Sequence, residues 1–308
     1  MDARTVPLPF DPAALRGLST ALLDSHHRNN YGGAVQRLNA LRKRLAATAF
    51  ATAPGFELNG LKREELIATN SMLLHELYFA SLGGAGAEME PAMRLALDAD
   101  FGSAARWREE FVALGKALGG GSGWVLLAFQ PRDGTLVNQW AADHTHAIAG
   151  GVPVLALDMY EHAYHIDFGA SAAAYVDAFM ANIDWAAVYR RYQHAVHDAS
   201  DAFGASHEAV AGSLVLDVRR AAVFEQSAAL ISGAQWRDPA RVTEWAGELP
   251  RDRELLVYCV YGHEVGRATA MRLRAAGLQA RFLRGGIDGW QKAGQPVLAK
   301  IPGKEGAP

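Results

Sequence analysis

From Asp11 or Ser19 to about Ala47 the apolar and polar positions alternate as on one face of a helix, and a second such stretch runs from about Lys62 to Leu82. The segment "TAPGFELNG" separates them, and the Gly-rich break "GGAGAEM" follows. Helical patterns return at Pro91 to Phe101 and at Ala104 to Leu118, the second stopped by Gly119–Gly121, since glycine is the usual residue past a helix C-terminus. From Gly123 the period changes. "GWVLLAFQP", the turn "RDG" and "TLVNQWA" predict a hairpin, and "VPVLALD" predicts a buried strand. Another helix ends near "NIDWAAVYRRYQ". Between Gln193 and Gly212 the chain is rich in Ala, His and Ser with little periodicity, which reads as a linker. Beyond it, "SLVLDVR", "ARVTEWAGEL", "ELLVYC", "HEVGRATAMRLRAAG", "ARFLRGG" and "IDGWQKAG" alternate between strand and helix, the pattern of a parallel α/β sheet.

At 308 residues the chain is long for a single core, which also predicts two domains. Half of it is hydrophobic and a fifth is charged, as in an ordinary globular protein. The net charge of −3 gives no reason to expect nucleic acid or an acidic membrane surface as a partner. The first residues lack a signal-peptide pattern, and no apolar run approaches the ~20 residues that span a bilayer. The one cysteine, Cys259, permits no disulfide within the chain and suits a reducing compartment, so the expected location is cytoplasmic.

The chemistry concentrates in "DMYEHAYHIDF", residues 158 to 168. Asp158 ends a buried strand, where a charge without a partner is costly. His162, four residues on, makes the two look like ligands of one metal ion. His75 sits among Leu74, Leu77, Tyr78 and Phe79, where a lone histidine is more often a satisfied core residue than a ligand. His26 and His27 are adjacent on a helix, so at most one faces inward. Two helical histidines with Asp158 and His162 form a three-nitrogen, one-carboxylate set suited to iron or manganese.

Residues 1 to about 195 resemble the iron/manganese superoxide dismutase family, through "LPF" near the start, "FGS" at 101–103, "GSGWVLL" at 121–127, "DMYEHAYHIDF", and "YVDAFMANIDWAAVYRRY" at 175–192. The resemblance implies a helical hairpin over 1–88 and an α/β domain over 89–195. It implies one iron or manganese ion per chain, bound by His26, His75, Asp158 and His162, with superoxide as substrate. It further implies that His144, or else His146, touches metal-bound solvent, and that Trp124 walls the pocket. Glu161 would reach across a homodimer interface to the partner chain's metal-binding histidine. Where the family's first helix reads His-x-x-x-His-His-x-x-Tyr, this chain has His26, Asn30, Tyr31 and Ala34. The gating tyrosine is therefore absent, and Tyr31, about one turn away, is left to take its role. His165 replaces a second family tyrosine, which pairs across the interface with the residue now Asn30.

The C-terminal part resembles a rhodanese domain, through "LVLDVR" at 214–219, "ISGAQW" at 231–236, "ELLVYCVYGHEVG" at 254–266 and "LRGGIDGWQKAGQPV" at 283–297. Residues 196–211 are then the linker and 212–308 the rhodanese-like domain. The resemblance implies that Cys259 carries sulfane sulfur, its thiolate favoured by loop amides and a helix N-terminus. Glu264 stands where the family commonly has arginine, so an acid is expected to face the sulfur and limit its reactivity. Two functions follow. The first is superoxide dismutation; the alternative is a metal-binding sensor or scaffold in sulfur or oxyanion stress, with sulfur transfer at Cys259 as its chemistry.

Overall fold

The computed structural model describes residues 2–84 and 86–300; residue 85 of the Gly-rich break and residues 301–308 of the expected second domain lie outside the described residues. Helix α1 (Thr20–Ser25) starts under Ser19, whose hydroxyl accepts the Leu22 N–H. It continues through a π-helical turn, His26–Tyr31, into α2 (Gly32–Ala46). The antiparallel partner α3 spans Gly55–Ala80 and so takes in most of the expected connection. Pro54 fixes an extended entry and its carbonyl accepts the first helical bond from Leu58, so the two glycines at 55 and 60 are carried inside the helix. Helices α4 (Pro91–Phe101) and α5 (Ala104–Ala117) meet at Gly102, which adopts the left-handed conformation that ends α4, while Ser103 caps α5.

Strands β1 (Trp124–Gln130), β2 (Thr135–Ala141) and β3 (Val152–Asp158) form an antiparallel sheet in the order β2-β1-β3. The central strand β1 is buried along nearly its whole length, and its register sets Trp124 opposite Asp158. Helices α6 (His165–Phe168), α7 (Ala172–Ala181) and α8 (Trp185–Ser200) close the domain. Arg191 of α8 donates to the carbonyls of Val154 on β3 and Ala80 at the end of α3, and to the Ser81 hydroxyl. One guanidinium thus fixes the two elements that carry His75 and Asp158.

The stretch 196–211 is regular structure rather than a bare linker. Helix α8 runs through Ser200, a 3-10 turn follows at Asp201–Phe203, and β4 (Gly204–Ala205) joins the second domain's sheet. The helix persists because Tyr192, Ala195, Val196 and Ser200 are buried at helical spacing, a period that small residues conceal in the sequence. The second domain contains β5 (Leu214–Asp217), α9 (Ala221–Gln226), β6 (Ala229–Ile231), β7 (Gln235–Trp236), α10 (Val242–Trp245), β8 (Leu255–Tyr258), α11 (Glu264–Ala275), β9 (Ala280–Leu283), α12 (Gly286–Lys292) and β10 (Val297–Ala299). Five strands form a parallel sheet in the order β4-β9-β8-β5-β7, and β10 pairs separately with β6.

The domains share packed surface. Ala268 and Met271 of α11 belong to the first domain's hydrophobic cluster. Beside them Arg272 donates to Asp100 at 2.9 Å, and Asp100 also accepts the Leu136 N–H at 2.8 Å. Burial pushes the Asp100 carboxyl up to about 6, against the pull of Arg272. Removing the guanidinium leaves a buried carboxylate without its cation, which typically costs about 3–5 kcal/mol. Arg272→Leu raises the native-state pKa of Asp100 further above its unfolded value of about 3.9. The unfolded chain then ionises first as pH rises, so the variant's deficit is small near pH 5 and largest above pH 7. Urea unfolding of wild type and variant at the two pH values checks this.

Candidate metal centre and cysteine loop

Four elements each deliver one side chain to a common point. His26 comes from the π-helical turn, His75 from α3, Asp158 from the last position of β3, and His162 from the 3-10 turn Glu161–Ala163. One ligand atom from each lies within 4.8 Å of all the others. The Asp158 Oδ2 is 3.1 Å from His26 Nε2, 3.3 Å from His162 Nε2 and 3.5 Å from His75 Nε2, and the last two nitrogens are 3.4 Å apart. His26, His75 and Asp158 are buried, while His162 keeps 27% of its side chain exposed.

The protonation pattern suits a cation. His75 donates through Nδ1 to the Ser71 carbonyl at 2.6 Å, which leaves Nε2 as a bare lone pair facing the cluster. Burial lowers the His26 pKa and takes that of His75 down to about 3, so both rings are neutral. Burial works against charge at Asp158, but the facing His162 and the hydrogen bonds from His162 and His26 hold its carboxyl well below the usual range. Three imidazole nitrogens and an anionic oxygen therefore converge within van der Waals contact. Three nitrogens and one carboxylate oxygen gathered this closely would suit one first-row ion. The residues fit a metal ion. His26 Nδ1 is buried without a hydrogen-bond partner.

A funnel of about 260 Å³ leads to the centre and ends at His75, His144 and His162. Trp124 donates through Nε1 to His144 Nδ1 at 2.9 Å, and the His144 ring stacks on Tyr160 with centroids 4.8 Å apart. His146 instead accepts the Ala142 N–H and lies beside Trp140, so of the two histidines only His144 borders the funnel. Asn30 and Ala34 line the funnel wall. Tyr31 does not: buried next to His75, it donates its hydroxyl proton to Glu76 at 2.8 Å and accepts the Val6 N–H at 2.7 Å. Burial pushes its phenol up to about 12. Glu161 and His165 are exposed on the outer side of the turn that carries His162.

In the second domain Cys259 follows β8 and its loop leads into α11. The amides of Gly266, Gly262 and His263 point at the sulfur and favour thiolate, yet burial outweighs them and pushes the thiol up. Gly262 has φ 70°, and a Cβ there would meet the Gly285 nitrogen and Leu283 oxygen at 2.7 Å, so the loop's path requires glycine. Glu264 is placed differently from the expected anion-pocket acid. Its carboxylate accepts from the Tyr189 hydroxyl at 2.7 Å and from Gln193 Nε2 at 2.9 Å, both on α8. It raises the thiol pKa only behind burial, and its main contacts fasten the two domains. Arg267 uses its donors on the Gly262 carbonyl at 2.9 Å and the Ser200 hydroxyl at 3.3 Å.

Sequence reasoning passed over a buried network beneath this loop. Asp217 ends β5 and accepts from Arg219 and, at 2.8 Å, from the Tyr258 hydroxyl; Arg219 also donates to Ser227 and the Ala229 carbonyl. The signal was present in "LVLDVR", an acid at the end of a buried strand just as at Asp158.

Residues 89–191 match the family model for iron/manganese superoxide dismutases, C-terminal domain, and residues 199–293 match the rhodanese-like domain. Over 192 residues, 62% of this chain and 97% of the relative, the sequence is 65% identical to a protein named "Superoxide dismutase [Fe]" from Cupriavidus metallidurans. It is 35% identical to "Superoxide dismutase [Mn] 1" of Halobacterium salinarum over 61% of this chain and 94% of that one. Against "Superoxide dismutase [Fe]" of Aquifex pyrophilus the identity is 32%, over 60% and 89% of the two chains. A metal-fitting centre on this fold defines the class. The chain belongs to the iron/manganese superoxide dismutase family, with a rhodanese-like domain after the dismutase-like one.

Glu264→Ala leaves the Tyr189 hydroxyl without its acceptor, while Gln193 Nε2 keeps its bond to the Tyr189 oxygen at 3.1 Å. The expected loss of stability is about 1 kcal/mol, from one part-buried hydrogen bond removed. Alkylation of Cys259 should keep its elevated pKa, because burial remains, with a modest downward shift. Denaturant unfolding and pH-dependent iodoacetamide labelling of the single thiol read the two effects.

Proposed function

We propose that this chain dismutates superoxide at one iron or manganese ion held by His26, His75, Asp158 and His162. The observation that carries the reading is the convergence of three imidazole nitrogens on the Asp158 carboxylate at 3.1 to 3.5 Å, at the foot of an open funnel. Bound there, iron or manganese supplies a one-electron couple that one superoxide reduces and the next reoxidises, so two superoxide ions and two protons become oxygen and hydrogen peroxide. The protein's own part is binding, orientation and proton placement. Asp158 contributes one negative charge, which leaves the loaded site positive toward an anionic substrate. The Trp124 N–H occupies His144 Nδ1, and burial lowers the pKa of that ring, so neutral His144 carries its proton on Nε2 and serves as a donor beside the funnel.

We further assign a homodimer formed on the face where Glu161 and His165 are exposed, with Glu161 meeting the partner chain's metal-binding histidine and Asn30 lying near the same boundary. No helix among the described residues is long and apolar enough to cross a membrane, and a single thiol fits a reducing compartment such as the cytoplasm. The amides around Cys259 support sulfur carriage as a second activity, slower because the thiol is buried.

Protein expressed with iron or with manganese should contain about one ion per chain and consume superoxide. His75→Ala or Asp158→Ala should lose both ion and activity and melt lower, because the ion stabilises only the folded state. Full metal retention in either variant overturns the site. Wild type should sediment as a dimer at micromolar concentration, and Glu161→Ala should weaken association and metal retention together. Ala34→Tyr, which puts a phenol into the funnel wall, should change the rate more than Tyr31→Phe, whose hydroxyl lies outside it.

A further inference from the structure

We propose that Arg37 guides anions into the funnel, and that its pairing with Glu64 sets how strongly it does so; this rests on the reading of the centre as a superoxide dismutase. Asn30, Ala34 and Arg37, spaced four and three apart, form one wall, and Ile67, Ala68 and Ser71 of α3 form the facing one. Ala34 contributes only a methyl group between the guanidinium and the floor. The lining holds no carboxylate, and Arg37 is its one permanent cation. Arg37 pairs with Glu64 across the hairpin, and the Arg63 guanidinium lies 3.9 Å from the same carboxylate. Glu64 is thus shared with a second cation, Arg63, which also faces the Asp143 carboxylate, so Arg37 is only partly neutralised by its partner.

A cleft of one sign with low-dielectric walls concentrates a small anion and speeds its entry. The effect is screened by salt, with a Debye length of about 10 Å at 0.1 M. The competing role for Arg37–Glu64 is a staple between α2 and α3. The two roles differ in sign: a staple is weakened by loss of either partner, whereas guidance is weakened by loss of Arg37 and strengthened by loss of Glu64.

The test measures kcat/KM for superoxide against ionic strength for wild type, Arg37→Gln and Glu64→Gln at equal metal content. At low salt Arg37→Gln should be slower by roughly threefold to tenfold and Glu64→Gln faster than wild type, within the range of steering effects. The three should converge as salt rises toward molar. Azide affinity of the iron-loaded proteins, read by absorbance, should weaken in Arg37→Gln and tighten in Glu64→Gln. Rates and affinities that move in the same direction in both variants, or an unchanged low-salt rate in Arg37→Gln, overturn the proposal. If loaded wild type consumes no superoxide, the dismutase reading falls, and the azide series alone decides whether Arg37 guides anions.

Discussion

A carboxylate at the buried end of β3 is the constraint to which the first domain answers. Asp158 has no access to solvent, and a lone charge in that position would ionise only at great cost. Three imidazoles from three other elements surround it. Burial keeps the His26 and His75 rings neutral, and the surrounding elements are fixed by contacts of their own. The Ser71 carbonyl sets the His75 tautomer, the π-helical turn sets the direction of His26, and the β1–β3 register brings Trp124 beside the cluster. Arg191 then ties the ends of α3 and β3 together from outside. The convergence of these nitrogens on one carboxylate is what suits the cluster to a cation.

The parts legible in the sequence are those in which a residue contradicts its surroundings. Asp158 at the end of an apolar strand and His75 on an apolar helix are visible as such contradictions. The choice of His26 over His27 is not, because it depends on the π-helical turn and on His27 finding the Val6 carbonyl at 2.8 Å. The gate illustrates the same limit. Tyr31 stands one turn from the missing phenol in sequence, yet its hydroxyl is taken by Glu76, 45 residues away. Helical spacing gives the face of a residue, but the partners that orient its polar tip are tertiary.

The boundary between domains was hidden for a related reason. Alanine and serine bury as readily as larger residues when another helix lies close, so α8 keeps its helical period through a segment that reads as unpatterned. Glu264 was misplaced because its acceptor role is defined by Tyr189 and Gln193, 75 and 71 residues earlier in the chain. At the sulfur loop an acid looks like an electrostatic obstacle. In the folded protein it is a point of attachment, and the sulfur is restrained mainly by burial.

That difference orders the two chemistries. At Asp158 burial is answered by three facing imidazoles, so the charged form is the stable one. At Cys259 burial is answered only by amide dipoles, which are weaker than a full charge, so the neutral thiol is the stable one. Helix α8 lies between these outcomes. Through Arg191 it steadies the elements of the metal centre, and through Tyr189 and Gln193 it holds the first residue of the helix that follows the cysteine loop. One helix thus carries a fixing contact for the metal-fitting cluster on one side and for the cysteine loop's helix on the other.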